Sequence, residues 1–211
     1  MAEPESGGVA AGRRPAIADA AITVIARDGL RSLTHRAVDR ELGLPAGSTS
    51  YYARTRRQLI QAVVHRLAER TTDDLQTAAP LLIKPSGPPR VAELALALAA
   101  LLDRLELRGD DHLARYALAV ELTDDPELHD LVTSGSPIRA QMLSRAEVTL
   151  GRLGVADPAG SASGLITVVD GLLYDRLAGS GRDHRHRPDA TRVLAAYLTG
   201  LPRTRVVHRH P

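Results

Sequence analysis

The stretch "THRAVDRELGLPAGSTSYY" (residues 34–52) decides the fold, because two short helical segments flank a single turn that contains glycine. The first segment begins at Thr34, a good helix N-cap, and stops at Gly43. Pro45 suits the first turn of the second segment, which we expect to run to about Tyr52. Two short helices joined in this way form a helix-turn-helix.

Helical patterns continue on both sides of this motif. Upstream, Ile17, Ala21, Val24 and Ile25 fall on one face of a helix that begins at about Arg13. Downstream, "TRRQ" (residues 55–58) matches the capping box and opens a long helix that ends near residue 79. Three short helices followed by a long fourth are therefore predicted for the N-terminal part.

The remainder of the chain favours helices that open on a capping residue followed by proline. The break "IKPSGPPR" (residues 83–90) precedes them. The predicted helices cover residues 90–107 and 111–122 and open at Asp125, Ser136, Asp157 and Pro188. Residues 91–102 are apolar nearly all round, which predicts a central buried helix.

The predicted fold class is all-α, with about ten helices and no support for strands. An N-terminal three-helix helix-turn-helix domain covers residues 13–58, and a C-terminal helical domain for ligand binding and dimerisation covers residues 59–200. Residues 1–12 are predicted to be a disordered tail, and residues 201–211 a frayed basic tail.

Composition excludes several classes of protein. The chain has no cysteine, so disulfides, thiolate zinc sites and a cysteine nucleophile are excluded. The N-terminus is acidic and glycine-rich without an apolar core region, unlike a signal peptide. The longest apolar run is too short to span a bilayer. We therefore expect a soluble, cytoplasmic protein with no membrane partner.

Enzyme signatures are also missing. The sequence has no Gly-x-Ser-x-Gly elbow, no dinucleotide or phosphate-loop glycine pattern and no His-Glu-x-x-His. "RDHRHRPD" (residues 182–189) and "HRH" (residues 208–210) offer His-x-His pairs that could bind a metal. Solvated basic loops are more common, so neither a metal site nor a cofactor is predicted.

Positive charge is concentrated around the helix-turn-helix. Residues 13–57 contain nine arginines against four acidic residues, whereas the whole chain has a net charge of only +2. Such asymmetry indicates a polyanionic partner for the basic segment. An ordinary solvated surface is the alternative that charge alone leaves open.

The second helix of a helix-turn-helix lies in the DNA major groove, with its N-terminal residues at base edges. Small or hydroxyl-bearing residues occupy that position here, and they are Ala46, Gly47, Ser48, Thr49 and Ser50. Thr49 also offers a methyl group to thymine. A tyrosine at the end of the helix can reach a phosphate, and Arg54 and Arg56 are predicted to clamp the backbone. Two ordinary helices around a polar turn are the alternative.

Residues 14–59 resemble the TetR family of transcriptional regulators. The resemblance runs through "RDGLRSLTHRAV", "LGLPAGSTSYY" and "RTRRQL" without a gap. It implies a homodimer that binds a palindromic DNA operator and is released by a small-molecule effector. It also implies that the last two main helices, at residues 157–178 and 189–198, form the dimer interface. The DNA-facing residues that it implies are Thr34, Arg36, Ser48, Thr49, Ser50, Tyr51, Tyr52 and Arg56.

Three positions depart from the family pattern. Ser50 stands where many members have tyrosine, and Ala53 stands where phenylalanine is usual. Asp39 replaces the usual alanine near the turn. Because an unpaired buried carboxylate is costly, we expect Asp39 to be exposed or paired with an arginine. Which tyrosine packs on the protein and which reaches a phosphate stays open.

The C-terminal part carries polar residues among apolar helices. Asp170 and Tyr174 lie at i and i+4 and share a face. The candidate ligand-binding residues are Arg115, Tyr116, Glu121, Met142, Arg145, Asp170 and Tyr174. Hydrogen bonds between helices or subunits are the alternative role for Asp170 and Tyr174. For the whole chain, the alternatives are an interaction module that has lost DNA binding or a small helical enzyme.

Overall fold

The computed structural model describes residues 6–82 and 90–204, without the side chains of residues 6–11, 75 and 77–82. Over these ranges the chain is all-α with no strand, which confirms the predicted fold class. The helices are α1 (Ser6–Asp28), α2 (His35–Glu41), α3 (Ser48–Tyr52), α4 (Arg56–Leu82), α5 (Val91–Glu106), α6 (Gly109–Glu121), α7 (Pro126–Val132), α8 (Pro137–Arg152), α9 (Pro158–Leu177) and α10 (Ala190–Gly200). Three short 3-10 turns lie at Leu30–Ser32, Ser180–Arg182 and His184–His186. No helix in the described ranges is long and apolar enough to cross a membrane.

Helix starts follow the local capping signals. The Thr34 hydroxyl accepts the amide of Ala37 at 3.1 Å and caps α2. Asp125, Asp157 and Asp189 cap α7, α9 and α10 through bonds to backbone amides. The capping box before α4 is complete, because the Thr55 hydroxyl accepts the Gln58 amide while the Gln58 side chain accepts the Thr55 amide. Such caps satisfy amides that lack an intrahelical partner.

Regular structure extends beyond its predicted limits at both ends of the described ranges. Helix α1 begins at Ser6, so the predicted disordered tail is wrong from residue 6 onward. Ala10 and Ala11 have high helix propensity, and extending an existing helix is far easier than starting one. At the other end, Arg203 pairs with Val155 in an isolated antiparallel bridge, so residues 201–204 are not frayed. Residues 1–5 and 205–211, including the histidines at 208 and 210, lie outside the described residues.

Helix α5 is amphipathic rather than buried on all sides, which corrects the prediction for residues 91–102. Leu94, Ala95 and Leu98 are buried on one side of the helix. Leu96 lies on the opposite side and is 60% exposed. Leucine and alanine occur on both faces, so composition could not distinguish the packed face from the exposed one. The break at residues 83–89 lies outside the described residues.

The chain divides into two compact units that do not coincide with the predicted boundary after residue 58. One consists of residues Met1–Thr72 and Arg108–Pro137, and the other of Asp73–Leu107 and Ile138–Pro211. Helix α6 packs on α1 and so belongs with the N-terminal helices. The core of the first unit centres on Ile22, Leu59 and Leu118.

The second unit has its own core. Helix α5 packs against α9 and α10 there. Leu102, Leu173 and Leu198 are almost fully buried at the centre. At its edge, Arg176 on α9 donates to Asp103 at 2.8 Å, so a buried arginine of this unit is paired.

Candidate nucleic-acid interface

The turn between α2 and α3 contains two glycines in the left-handed conformation. Gly43 has φ of 62° and Gly47 has φ of 93°. The amide of Ser48 donates to the carbonyl of Pro45 at 3.2 Å, so Pro45 lies in the turn and α3 begins at Ser48. The prediction that Pro45 opens the helix is therefore wrong, because the left-handed residue at 47 interrupts any helix begun earlier.

Asp39 is neither exposed nor paired with an arginine, contrary to the prediction. It is only 2% exposed, and its carboxylate accepts the backbone amides of Gly47 and Thr49, both at 2.8 Å. Burial acts to raise the pKa of Asp39, but the hydrogen bonds from Thr49 and Gly47 outweigh burial and hold the pKa below its ordinary value. The carboxylate therefore caps α3 from the neighbouring helix.

Thr49 does not face solvent, which corrects its prediction as a base contact. The residue is 0% exposed on the inward side of α3, and its backbone amide donates to Asp39. Ser48 is half-buried, and its hydroxyl donates to the carbonyl of Pro45 at 2.7 Å. Ser50 and Gly47 are exposed. Of the three predicted hydroxyl contacts, Ser50 is the most exposed, Ser48 is half-buried and Thr49 is buried.

The two adjacent tyrosines have different surroundings. Tyr52 is half-buried and packs against the core that includes Ala53, whereas Tyr51 is 82% exposed. The rings meet edge to face with centroids 5.1 Å apart, an arrangement that aromatic pairs favour. The ring of Tyr52 therefore supports that of Tyr51, and the exposed Tyr51 remains the candidate for phosphate contact.

The three arginines after α3 differ as well. Arg56 is exposed, and its guanidinium donates to the carbonyls of Leu30 at 2.6 Å and Leu33 at 3.3 Å, an internal contact that the sequence did not predict. Arg57 forms ion pairs with Asp125 and Glu127 at the start of α7. Arg54 is exposed on the turn between α3 and α4.

Helix α2 contributes to the same surface. Arg36 is exposed on its first turn, and Thr34 is exposed while its hydroxyl caps the helix. His35 lies within 2.6 Å of the Ala53 carbonyl through Nε2, which ties the start of α2 to the end of α3. Exposed cationic and polar groups therefore lie on α2, on α3 and on the turn after α3, and they are Arg36, Ser50, Tyr51 and Arg54.

Glu121 of the candidate ligand-binding set has an internal partner. Its carboxylate accepts the amide of Leu30 at 3.2 Å and lies 3.9 Å from the Arg31 guanidinium. The carboxylate of Glu121 therefore caps the 3-10 turn before α2, and its contact with a ligand stays a prediction. The Arg115 guanidinium lies over the ring of Tyr116, 4.6 Å from its centroid, and both residues are half-buried.

The other candidates of this set belong to the second unit. Met142, Arg145 and Asp170 are half-buried on α8 and α9. Tyr174 is 51% exposed, which fits a surface between subunits better than a cavity wall. In the described ranges there is no group of three metal-ligating side chains. Within the predicted basic loop, Arg187 pairs with Glu106 on α5 at 2.7 Å.

The chain is all-α and carries a capped helix-turn-helix with exposed arginines beside it, which is the arrangement of a helix-turn-helix DNA-binding protein. A family model described as "Tetracyclin repressor-like, C-terminal domain" matches residues 89–200. This chain belongs to the TetR family of transcriptional regulators. No curated protein matches the chain significantly.

Solved structures share the fold across almost the whole chain. A transcriptional regulator from Rhodococcus sp. Rha1 is 20% identical with a TM-score of 0.70, over 89% of this chain and 95% of that one. A TetR family member from Streptomyces coelicolor A3 is 25% identical with a TM-score of 0.61, over 90% of this chain and 98% of that one. The multidrug binding protein EbrR, complexed with malachite green, is 25% identical with a TM-score of 0.60, over 91% of this chain and 99% of that one.

Proposed function

We propose that this protein is a homodimeric, ligand-responsive transcriptional repressor that binds a palindromic DNA operator in the cytoplasm. The observation that carries the proposal is the surface formed by Arg36, Ser50, Tyr51 and Arg54, all exposed around the capped helix-turn-helix. Cations and hydroxyls are the groups that contact phosphates and base edges in such motifs.

Each part of this surface has a distinct task in the proposed complex. Helix α3 enters the major groove and Ser50 reaches a base edge, where a hydroxyl donates or accepts a hydrogen bond. The Tyr51 hydroxyl, Arg36 and Arg54 contact phosphates, which fix the register of the protein on the duplex. Arg56 acts indirectly by holding the turn before α2 in place.

The proposed dimer forms through α9 and α10. Exposed residues on α9 recur at helical spacing and are Ser163, Thr167, Gly171 and Tyr174. A Cβ at Gly171 would meet nothing within 4 Å in its own chain, so a partner helix has room to approach. Val193 adds an exposed apolar side chain on α10. A two-fold axis through this surface accounts for a palindromic operator.

The proposed effector is a small molecule bound by the C-terminal helices. Support comes from the name of one structural relative, the multidrug binding protein EbrR, which was solved with malachite green. The half-buried Met142 and Asp170 of the second unit are the candidate contacts there. An effector that prefers the DNA-free form by ~1–3 kcal/mol lowers operator affinity by the same free energy.

Selection of bound duplexes from a random pool tests the proposal. We expect a two-fold symmetric site with salt-dependent affinity. The double variant Arg36→Ala/Arg54→Ala should lose binding, while Arg104→Ala, which removes an exposed arginine from α5, should retain it. Recovery of no preferred sequence would instead support an interaction module without DNA binding. Turnover of a substrate without DNA would support the helical enzyme.

A further inference from the structure

We infer that Asp39 is a positioning residue for sequence recognition, because its carboxylate fixes the reading helix α3 from the neighbouring helix α2. The inference rests on the proposed DNA binding of this motif. It assigns a specific task to a residue whose type departs from the alanine expected at this position.

Helix α3 cannot hold its own conformation. It contains only five residues, whereas isolated helices shorter than about 12 residues are marginal in water. Its N-cap is Gly47, which has no side chain to accept the amides of the first turn. Acceptors must therefore come from elsewhere in the fold.

Asp39 supplies two acceptors in a fork. Oδ2 accepts the Gly47 amide and Oδ1 accepts the Thr49 amide, both at 2.8 Å. Two bonds to amides two residues apart restrict both rotation and sliding of α3, whereas one bond would leave rotation free. Ser50 and Tyr51 follow directly, so their direction is set by this fork. Hydrogen bonds to base edges weaken steeply with misalignment.

The negative charge of Asp39 allows its positioning effect on DNA affinity to be distinguished from its electrostatic effect. A carboxylate in a DNA-binding surface repels phosphates, so its removal alone should strengthen binding to every duplex. Loss of position should instead weaken binding to the preferred sequence, because base contacts supply specificity and phosphate contacts do not. The two effects have opposite signs for the selected duplex.

The test compares Asp39→Ala, Asp39→Asn and the charge control Glu41→Ala on a selected duplex and a scrambled duplex. Glu41 is also on α2 but pairs with Arg27 at 3.0 Å instead of capping α3. For Asp39→Ala we expect the ratio of selected to scrambled affinity to fall roughly ten-fold or more, as for loss of a base contact. Asp39→Asn keeps one acceptor, so its affinity ratio should lie between those of the wild type and Asp39→Ala. Glu41→Ala should leave the ratio unchanged.

Amide hydrogen exchange without DNA gives an independent measurement. Asp39→Ala should lose protection at the Gly47 and Thr49 amides, while amides in α1 keep theirs. If Asp39→Ala fails to fold, Asp39→Asn provides the same comparison. An unchanged affinity ratio together with unchanged amide protection would overturn the inference. If the wild type does not distinguish the two duplexes, the proposed function fails, and the exchange data still decide whether Asp39 holds α3.

Discussion

Arg56 and Arg54 lie two residues apart, yet only the Arg56 guanidinium bonds to backbone carbonyls of the segment at residues 30–33. Arg56 donates to the carbonyls of Leu30 and Leu33, which belong to the segment that leads into α2. Arg56→Ala removes both donors. A hydrogen bond from a charged group contributes about 1.5–3 kcal/mol. Because Arg56 is exposed and water can replace it, we discount this to about 1 kcal/mol for each bond.

The expected loss is therefore about 1–2 kcal/mol in the free energy of unfolding, which lowers Tm by roughly 2–8 °C for a chain of this size. Arg54→Ala is the matched control, because Arg54 is exposed and its backbone amide bond to Gln58 survives the substitution. Its effect on stability should stay within about 0.5 kcal/mol. Its effect on DNA binding should be a lost phosphate contact.

Two assays separate the pair. Thermal unfolding without DNA should show the lower Tm for Arg56→Ala alone. Operator affinity measured across salt concentrations should show a slope reduced by about 0.9 for Arg54→Ala and an unchanged slope for Arg56→Ala. The reasoning is refuted if Arg56→Ala keeps the wild-type Tm and loses salt slope, since Arg56 would then contact phosphate and not the Leu30 segment.

Three further predictions concern stability. Gly47→Ala should lower the free energy of unfolding by about 1–2 kcal/mol. The cost comes from the left-handed backbone alone, because the new Cβ meets nothing within 4 Å. Urea unfolding measures this loss, and unchanged stability would show that the turn relaxes. Asp111→Ala should lower the free energy of unfolding by about 2–4 kcal/mol, because buried Asp111 pairs with Arg70 and Arg108, which are partly solvated. A loss below about 0.5 kcal/mol in the same assay would contradict this prediction. The pKa of Asp39 is lowered in the folded state, so its contribution to stability is complete above about pH 4 and is lost as pH falls further. The difference in unfolding free energy between wild type and Asp39→Ala should therefore narrow on acidification, and a constant difference would count against an ionised cap.

Local signals in the sequence predicted the helices well. Thr34, Asp125 and Asp157 cap the helices that they were expected to open, and Asp189, next to the predicted start at Pro188, caps α10. The capping box at Thr55 is complete. These interactions join residues within one turn of each other, so their partners are visible in the sequence. The same locality explains why the order of the ten helices could be predicted.

The orientation of individual side chains could not be predicted in the same way. Asp39 bonds amides 8 and 10 residues away, and Arg56 bonds carbonyls 23 and 26 residues away. Glu121 reaches Leu30 across 91 residues. Whether a polar residue faces solvent or caps a distant turn depends on how the helices pack. Spacing along the chain does not contain that information.

The burial pattern of α3 separates the residues that hold the helix from those that can read DNA. Thr49 and Tyr52 are three positions apart and share the inward face, while Ser50 and Tyr51 lie outward. A substitution at Ser50 can therefore change the reading surface without disturbing the core. In the proposed complex, we expect a substitution at Asp39 or Thr49 to move α3 and to change recognition without touching DNA. The proposed sequence preference thus depends on two groups of residues, and we expect only the outward group to vary without a loss of stability.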